Sequence, residues 1–195
     1  MNSNEDTWST AARNVADRLQ KMPPGPLADL RRMSTKMPSP QFWRLAVRYP
    51  NTIGYKGREM EWVTIVRILA TLTKKGAVEE RCSLHDRKRR LGEVLCDGGD
   101  PSWPPKEILP PRPFYSEHRL AQLLATRGTQ RAVHLERAMR AVSSNRSVDT
   151  GINVVDIAFS ILRPQDTRRI AMAYYNRLDR AESAQAARGN NKGNG

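Results

Sequence analysis

Apolar residues recur at helical spacing along almost the whole chain, and no segment sustains the every-second-residue alternation of a strand. Trp8, Ala11, Ala12, Val15, Ala16 and Leu19 fall at i, i+3, i+4, i+7, i+8 and i+11, one face of an amphipathic helix. Pro23, Pro24 and Pro26 end it, because proline lacks the amide proton that a helix interior needs. A short helix then carries Leu27 and Leu30 inward, and Pro38 closes that region. Ser39-Pro40 reads as an N-cap with proline at the first helical position, and Phe42, Trp43, Ala46 and Val47 supply the next buried face. Residues 51–58 form a loop. From Glu59 to Lys75 the pattern is the strongest in the chain, with Trp62, Ile65, Val66, Ile68, Leu69 and Leu72 apolar and Gly76 placed as a terminating glycine.

The polar stretch Arg81–Arg90 reads as a loop into a helix with Leu91, Val94 and Leu95, which ends at Gly98-Gly99. Residues 100–113 contain six prolines, so they are expected to be a stiff linker between two helical halves. Beyond it, Ser116 caps a helix with Leu120, Leu123 and Leu124 on one face, ended by Gly128. Thr129 caps another, with Ala132, Leu135, Met139 and Val142 inward. Asn153 precedes Val154, Val155, Ile157, Ala158, Ile161 and Leu162, and Pro164 breaks that run. Asp166 caps the last helix, whose buried stripe is Ile170, Tyr174, Tyr175 and Leu178. The expectation is an all-α protein: a helical bundle at 1–99, the linker at 100–113, a second bundle at 114–183 and a disordered Gly/Asn-rich tail at 184–195.

Hydrophobic residues make up 38%, below the usual about 45–50%, which suits helices that each bury one stripe. The formal charge is +13, and self-repulsion of that size calls for a polyanionic partner. Arginine outnumbers lysine, which favours phosphate, since guanidinium forks bind it bidentately and stack on bases. No apolar run approaches a membrane span, and MNSNEDTWST lacks the basic and apolar regions of a secretory signal. Cys82 and Cys96 are too few for a disulfide scaffold, so a reducing cytoplasm is expected.

Catalysis needs converging polar groups, and the sequence offers none in a recognisable arrangement. His85 lies in a basic loop, and His118 and His134 lie on helices with their own apolar faces. Cys82, His85 and Cys96 fall short of the closed four-ligand set of a structural zinc. There is no phosphate-cradling glycine loop or dinucleotide fingerprint, and Asp149 and Asp156 are isolated carboxylates explained by capping or solvation. No enzyme, metal or cofactor is expected.

The basic residues are more informative. Arg31, Arg32, Arg44, Arg48 and the run Arg87-Lys88-Arg89-Arg90 mark the first half. Arg119, Arg127, Arg131, Arg137 and Arg140 recur on the next two helices, and Arg168, Arg169 and Arg177 on the last. Arginine at helix ends and flanks in both halves is expected to form one phosphate-facing surface, without a duplex-reading recognition helix. A scaffold docking an acidic protein and a helical transcription regulator are the rival readings.

The order of motifs adds a resemblance. LADLRRM at 27–33, PQFWRLAVRYP at 40–50 and EWVTIVRILATL precede YSEHRLAQLLATRGTQRAVHLERAMRAV at 115–142 and DTRRIAMAYYNRLDRA at 166–181. In that order they resemble CasB, the small-subunit family of type I-E CRISPR surveillance complexes (Cascade). The resemblance implies a non-catalytic subunit present in several copies, whose partners are the other Cascade subunits, further copies of itself, guide RNA and target DNA. It implies that Arg31, Arg32, Arg44, Arg119, Arg127, Arg140, Arg168 and Arg169 contact nucleic acid. Arg87, Lys88 and Arg131 join that set on charge and position alone.

Overall fold

The structure, a computed structural model, describes residues 3–104, 110–146 and 150–191. Asp149, the middle of the proline-rich segment at 105–109 and the end of the tail at 192–195 lie outside the described residues. Among these residues the chain is all-α. Its helices are α1 (Ser3–Gln20), α2 (Pro24–Arg32), α3 (Pro40–Arg48), α4 (Glu59–Leu72), α5 (Leu91–Asp97), α6 (Glu117–Ala125), α7 (Gly128–Asn145), α8 (Val154–Leu162) and α9 (Arg168–Asn191). The described backbone pairs as β-structure only at one parallel bridge, His85 to Ile152.

Helix α4 is central for a reason visible in its composition. Trp62, Val63, Ile65, Val66, Ile68, Leu69, Ala70 and Leu72 are buried, so the helix is apolar around nearly its whole circumference and must be covered on every side. Helices α1 and α2 cover it from the first half of the chain, and α7 and α8 from the second. Helix α5 packs chiefly on α9. Their axes approach closely because position 92 is glycine: a Cβ there would stand 2.1 Å from the Ile170 carbonyl oxygen and 2.7 Å from the Tyr174 nitrogen.

The two halves therefore share one continuous core rather than forming separate bundles. The ends of the proline-rich segment are also tied down. The Trp103 indole donates to the Arg112 carbonyl at 3.1 Å, and Arg177 on α9 stacks over the Trp103 ring at 5.4 Å and donates to its carbonyl at 2.7 Å.

Local expectations fare unevenly. Asn153 caps α8 through Val155 and Asp156 amides, and Ser116 caps α6 through the Arg119 amide. Gly98 takes the left-handed conformation at the end of α5. Helix α7 begins at Gly128, before Thr129. On α3, Phe42, Leu45 and Ala46 are buried, whereas Trp43 and Val47, expected inside, are exposed. Tyr175 is likewise exposed. Helix α9 continues to Asn191, so the segment from 184 expected to be a tail is helical over its described part, with Gln185 buried.

Candidate nucleic-acid interface

An α-helix leaves its last carbonyls without intrahelical donors, and in this chain arginines satisfy many of them. Arg81 is buried and donates to the Leu19, Gln20 and Met22 carbonyls at the end of α1 at 3.3, 3.1 and 2.6 Å. Arg31 reaches the Ala70 and Thr73 carbonyls at the end of α4 at 2.7 and 2.8 Å. Arg146 donates to the Leu72 carbonyl there and to Thr150. Arg58 donates to the Leu162 carbonyl at the end of α8 at 3.1 Å.

Arg131, expected at the interface, is the clearest correction. It is only 1% exposed, and it joins the Ser160 carbonyl of α8 to the Leu123 carbonyl of α6 at 2.8 and 3.1 Å. Burial, and then the charge of Arg127, lowers its pKa from the usual arginine value. No strand can touch it without unfolding that junction. Arg31 is half-tied in the same way, its pKa lowered by burial and then by Arg81, so its guanidinium is committed to the fold. These clamps spend hydrogen bonds but not charge, because a carbonyl is neutral. The field of the +13 chain persists at its surface.

Carboxylate pairs take a second set. Arg89 grips Asp97 with two bonds of 3.0 Å, and Arg90 grips Asp156 at 2.6 and 3.3 Å. Asp156 also accepts from the Leu91 amide at 3.2 Å, so it is an anchor for α5 and not an isolated carboxylate. Its hydrogen bond raises the Arg90 pKa. The run Arg87–Arg90 is thus divided: Arg87 and Lys88 are exposed, and Arg89 and Arg90 are paired with carboxylates, Arg90 remaining partly at the surface. Arg67 bridges the Met33 carbonyl and Glu136, which also pairs with exposed Arg140 at 3.0 Å.

What remains exposed falls into groups. Arg119 and Arg137 rim a concavity of about 450 Å³ between α6 and α7, with Phe114, Tyr115 and His134 in its wall. Arg168 and Arg169 stand beside Arg90 and Met172 at the start of α9, Arg169 being 3.6 Å from Asp166. Arg32 and Arg127 are exposed and, among the described residues, bond to carbonyls of their own neighbourhood.

A third group lies between α1 and α3. Helix α3 packs on α2, and across the proline turn that follows α1 it faces the second half of α1. A groove of about 580 Å³ opens there, lined by Arg18, Lys21, Gln41, Arg44 and Tyr49, with Asp17 as its acidic member. It continues around α3 onto a face made of Trp43, Arg44, Val47 and Arg48 with Arg18. The buried stripe Phe42, Leu45, Ala46 fixes that outcome. Residues 43 and 47, one turn apart, and 44 and 48, also one turn apart, are left on the outer side.

Arg44 was expected here; Trp43, Val47, Arg18 and Lys21 were not. A signal for Trp43 existed. Phe42, Leu45, Ala46 and Tyr49 follow i, i+3, i+4, i+7, which already fills a core face and leaves Trp43 and Val47 as a second stripe. Arg18 and Lys21 give no sequence signal of their own, since only the fold brings the end of α1 to face α3 across the groove.

Among the described residues no group of His, Cys, Asp and Glu could hold a metal ion, and no helix is long and apolar enough to cross a membrane. Residues 26–175 match the family model described as CRISPR-associated protein Cse2. No curated protein and no solved structure matches the chain.

Proposed function

The chain belongs to the CRISPR-associated Cse2 family, the small subunits of type I-E Cascade, which associate with the other Cascade subunits, and from that premise we propose that it steadies nucleic acid in the assembled complex through exposed arginines. The observation that carries this reading is the α1/α3 groove, where Arg18 and Lys21 face Arg44, together with the adjoining face on which Arg18, Arg44 and Arg48 stand around exposed Trp43. Arg119 with Arg137, and Arg168 with Arg169, add further phosphate-binding positions, as do Arg32, Arg87, Lys88, Arg127 and Arg140 by exposure.

The mechanism needs no chemistry on the nucleic acid. Opening a DNA duplex against a guide RNA exchanges one duplex for another of similar stability, so the step is nearly balanced. Contacts of modest strength to the target strand or to the displaced strand then decide how far it proceeds. Guide RNA and target DNA are the partners in this reading, and contacts are to phosphate and base face rather than to base edges.

The test is target-DNA binding by assembled Cascade across a salt titration. Neutralising about five phosphates on a single strand gives a slope of about −3.5 in log affinity against log salt. Alanine at Arg18, Arg44 and Arg48 is expected to flatten that slope. An unchanged slope and unchanged affinity would remove the groove from the binding surface.

A further inference from the structure

Four tryptophans occur in the chain, and three of them are accounted for by packing. Trp62 is in the middle of the core, Trp103 is buried beneath Arg177, and Trp8 packs against Phe159 between the guanidinium groups of Arg58 and Arg163. Trp43 is different. It is 44% exposed, and Val47, one turn along, is 81% exposed. The buried stripe of α3 runs through Phe42, Leu45 and Ala46 instead.

The ring is held as well as exposed. Trp43 meets buried Phe42 edge to face, with centroids 5.5 Å apart and planes at 74°. That contact limits the orientations open to the indole and lowers the entropy lost when a partner settles on it. Around it stand Arg18, Arg44 and Arg48. Neither Arg18 nor Arg48 is engaged with a carboxylate among the described residues, and Arg44 touches only the Gln41 amide oxygen at 3.3 Å.

An aromatic plane ringed by uncommitted guanidinium groups meets two requirements of an unpaired strand at once. A base offers a flat face for stacking, and its flanking phosphates need cations. A duplex hides its base faces inside the stack and can satisfy only the second requirement. We propose that Trp43 is a stacking platform for an unpaired base, with Arg18, Arg44 and Arg48 holding the adjoining phosphates, so that the groove prefers single-stranded over duplex nucleic acid. This deepens the proposed function and rests on its basic groove.

The experiment uses the full chain with three probes: an oligothymidylate, a strand of equal length with abasic sites, and a duplex. Tryptophan fluorescence of the unaltered chain is expected to fall on binding the oligothymidylate and to stay nearly constant on binding the abasic strand, whereas the Trp43→Phe variant, which keeps the other three tryptophans, shows no such fall. Trp43→Ala is expected to weaken oligothymidylate binding about 5- to 100-fold while leaving abasic-strand and duplex binding and the salt slope unchanged. Trp43→Phe should recover part of the loss. Equal loss on all three probes, or no loss on any, overturns the stacking role while leaving the basic groove in place. Failure of the unaltered chain to bind any of the probes overturns both. Loss of assembly into Cascade with unchanged oligothymidylate binding assigns Trp43 to a subunit contact and overturns the proposal.

Discussion

Arg177 Nε lies 2.9 Å from Asp97 Oδ2, joining α9 to the end of α5 across 80 positions of sequence. Asp97 is fully buried and also receives the Arg89 fork and the Gly99 amide, so one carboxylate fixes α5, α9 and the entrance to the proline-rich segment. Two guanidinium groups and an amide satisfy its oxygens, which is what allows a charge to sit there.

Asp97→Asn keeps the shape and removes the charge. It leaves Arg89 and Arg177 partly buried without an anion, and the loss of stability should be about 3–5 kcal/mol. Denaturant titration followed by circular dichroism measures it. A change below about 1 kcal/mol would show that the two arginines find solvent readily.

Gly92→Ala tests the contact between α5 and α9. The added Cβ meets the Ile170 carbonyl and the Tyr174 amide, which are backbone and cannot rotate away. Overpacking of this kind costs about 1–3 kcal/mol or more. A lowered midpoint of thermal unfolding is expected, whereas an unchanged midpoint would mean the helices slide apart without cost.

Arg131 and Arg44 should separate structure from binding. Arg131→Met takes the donor from the Ser160 carbonyl, at about 1–3 kcal/mol for a buried group left unpaired, while the Leu123 carbonyl still accepts from the Thr126 hydroxyl. Its effect on the salt dependence of DNA binding should be nil once folding is restored at low temperature. Arg18, Arg44 and Arg48 changed together to alanine should do the reverse. Stability stays within about 0.5 kcal/mol per site, and the salt slope shrinks by about 2 on a single strand. The opposite pairing of outcomes would relocate the binding surface.

The two thiols should differ. Burial, and then the neighbouring Asp97 charge, pushes the Cys96 pKa up to about 12, while Cys82 is exposed. A chromogenic disulfide reagent at pH 8 should therefore titrate one thiol in the folded protein and two in denaturant. The same shift predicts a loss of stability as pH rises from 9.0 to about 12. Over that window the unfolded chain releases the Cys96 proton and the folded chain keeps it, so the proton balance favours unfolding. Two rapidly reacting thiols in the folded state would show that α5 opens.

Much of the fold was legible before any coordinates. The stripe Ala11, Ala12, Val15, Ala16, Leu19 and the stripe Leu135, Met139, Val142 are buried as their spacing implies. The caps Ser116 and Asn153 and the stop at Gly98 are local and act through residues only a few positions away. On α3 the spacing implies one buried face from Phe42, Trp43, Ala46 and Val47, and only Phe42 and Ala46 of these are buried. Two i, i+4 pairs lie side by side there, and the pair ending at Ala46 wins because it continues to Leu45 and Tyr49.

The arginines were the less legible part. By composition Arg131, Arg31 and Arg81 look like Arg119, Arg44 and Arg48, all basic residues on helices or their flanks. What separates them is whether a distant helix ends within reach of the guanidinium group. Arg131 meets Ser160 across 29 positions, Arg31 meets Ala70 across 39, and Arg81 meets Leu19 across 62.

The sequence by itself determined the helical class, most of the buried stripes, the strong positive charge and, through the order of its motifs, the family. These are properties of spacing and composition, which short-range geometry translates directly. Only the tertiary structure decided that both halves enclose α4 in one core, which arginines close helix ends and which stay in solvent, and that Trp43 stands outside among cations. Each of these depends on which surfaces meet after folding, and contacts between residues tens of positions apart leave no periodic mark in the chain.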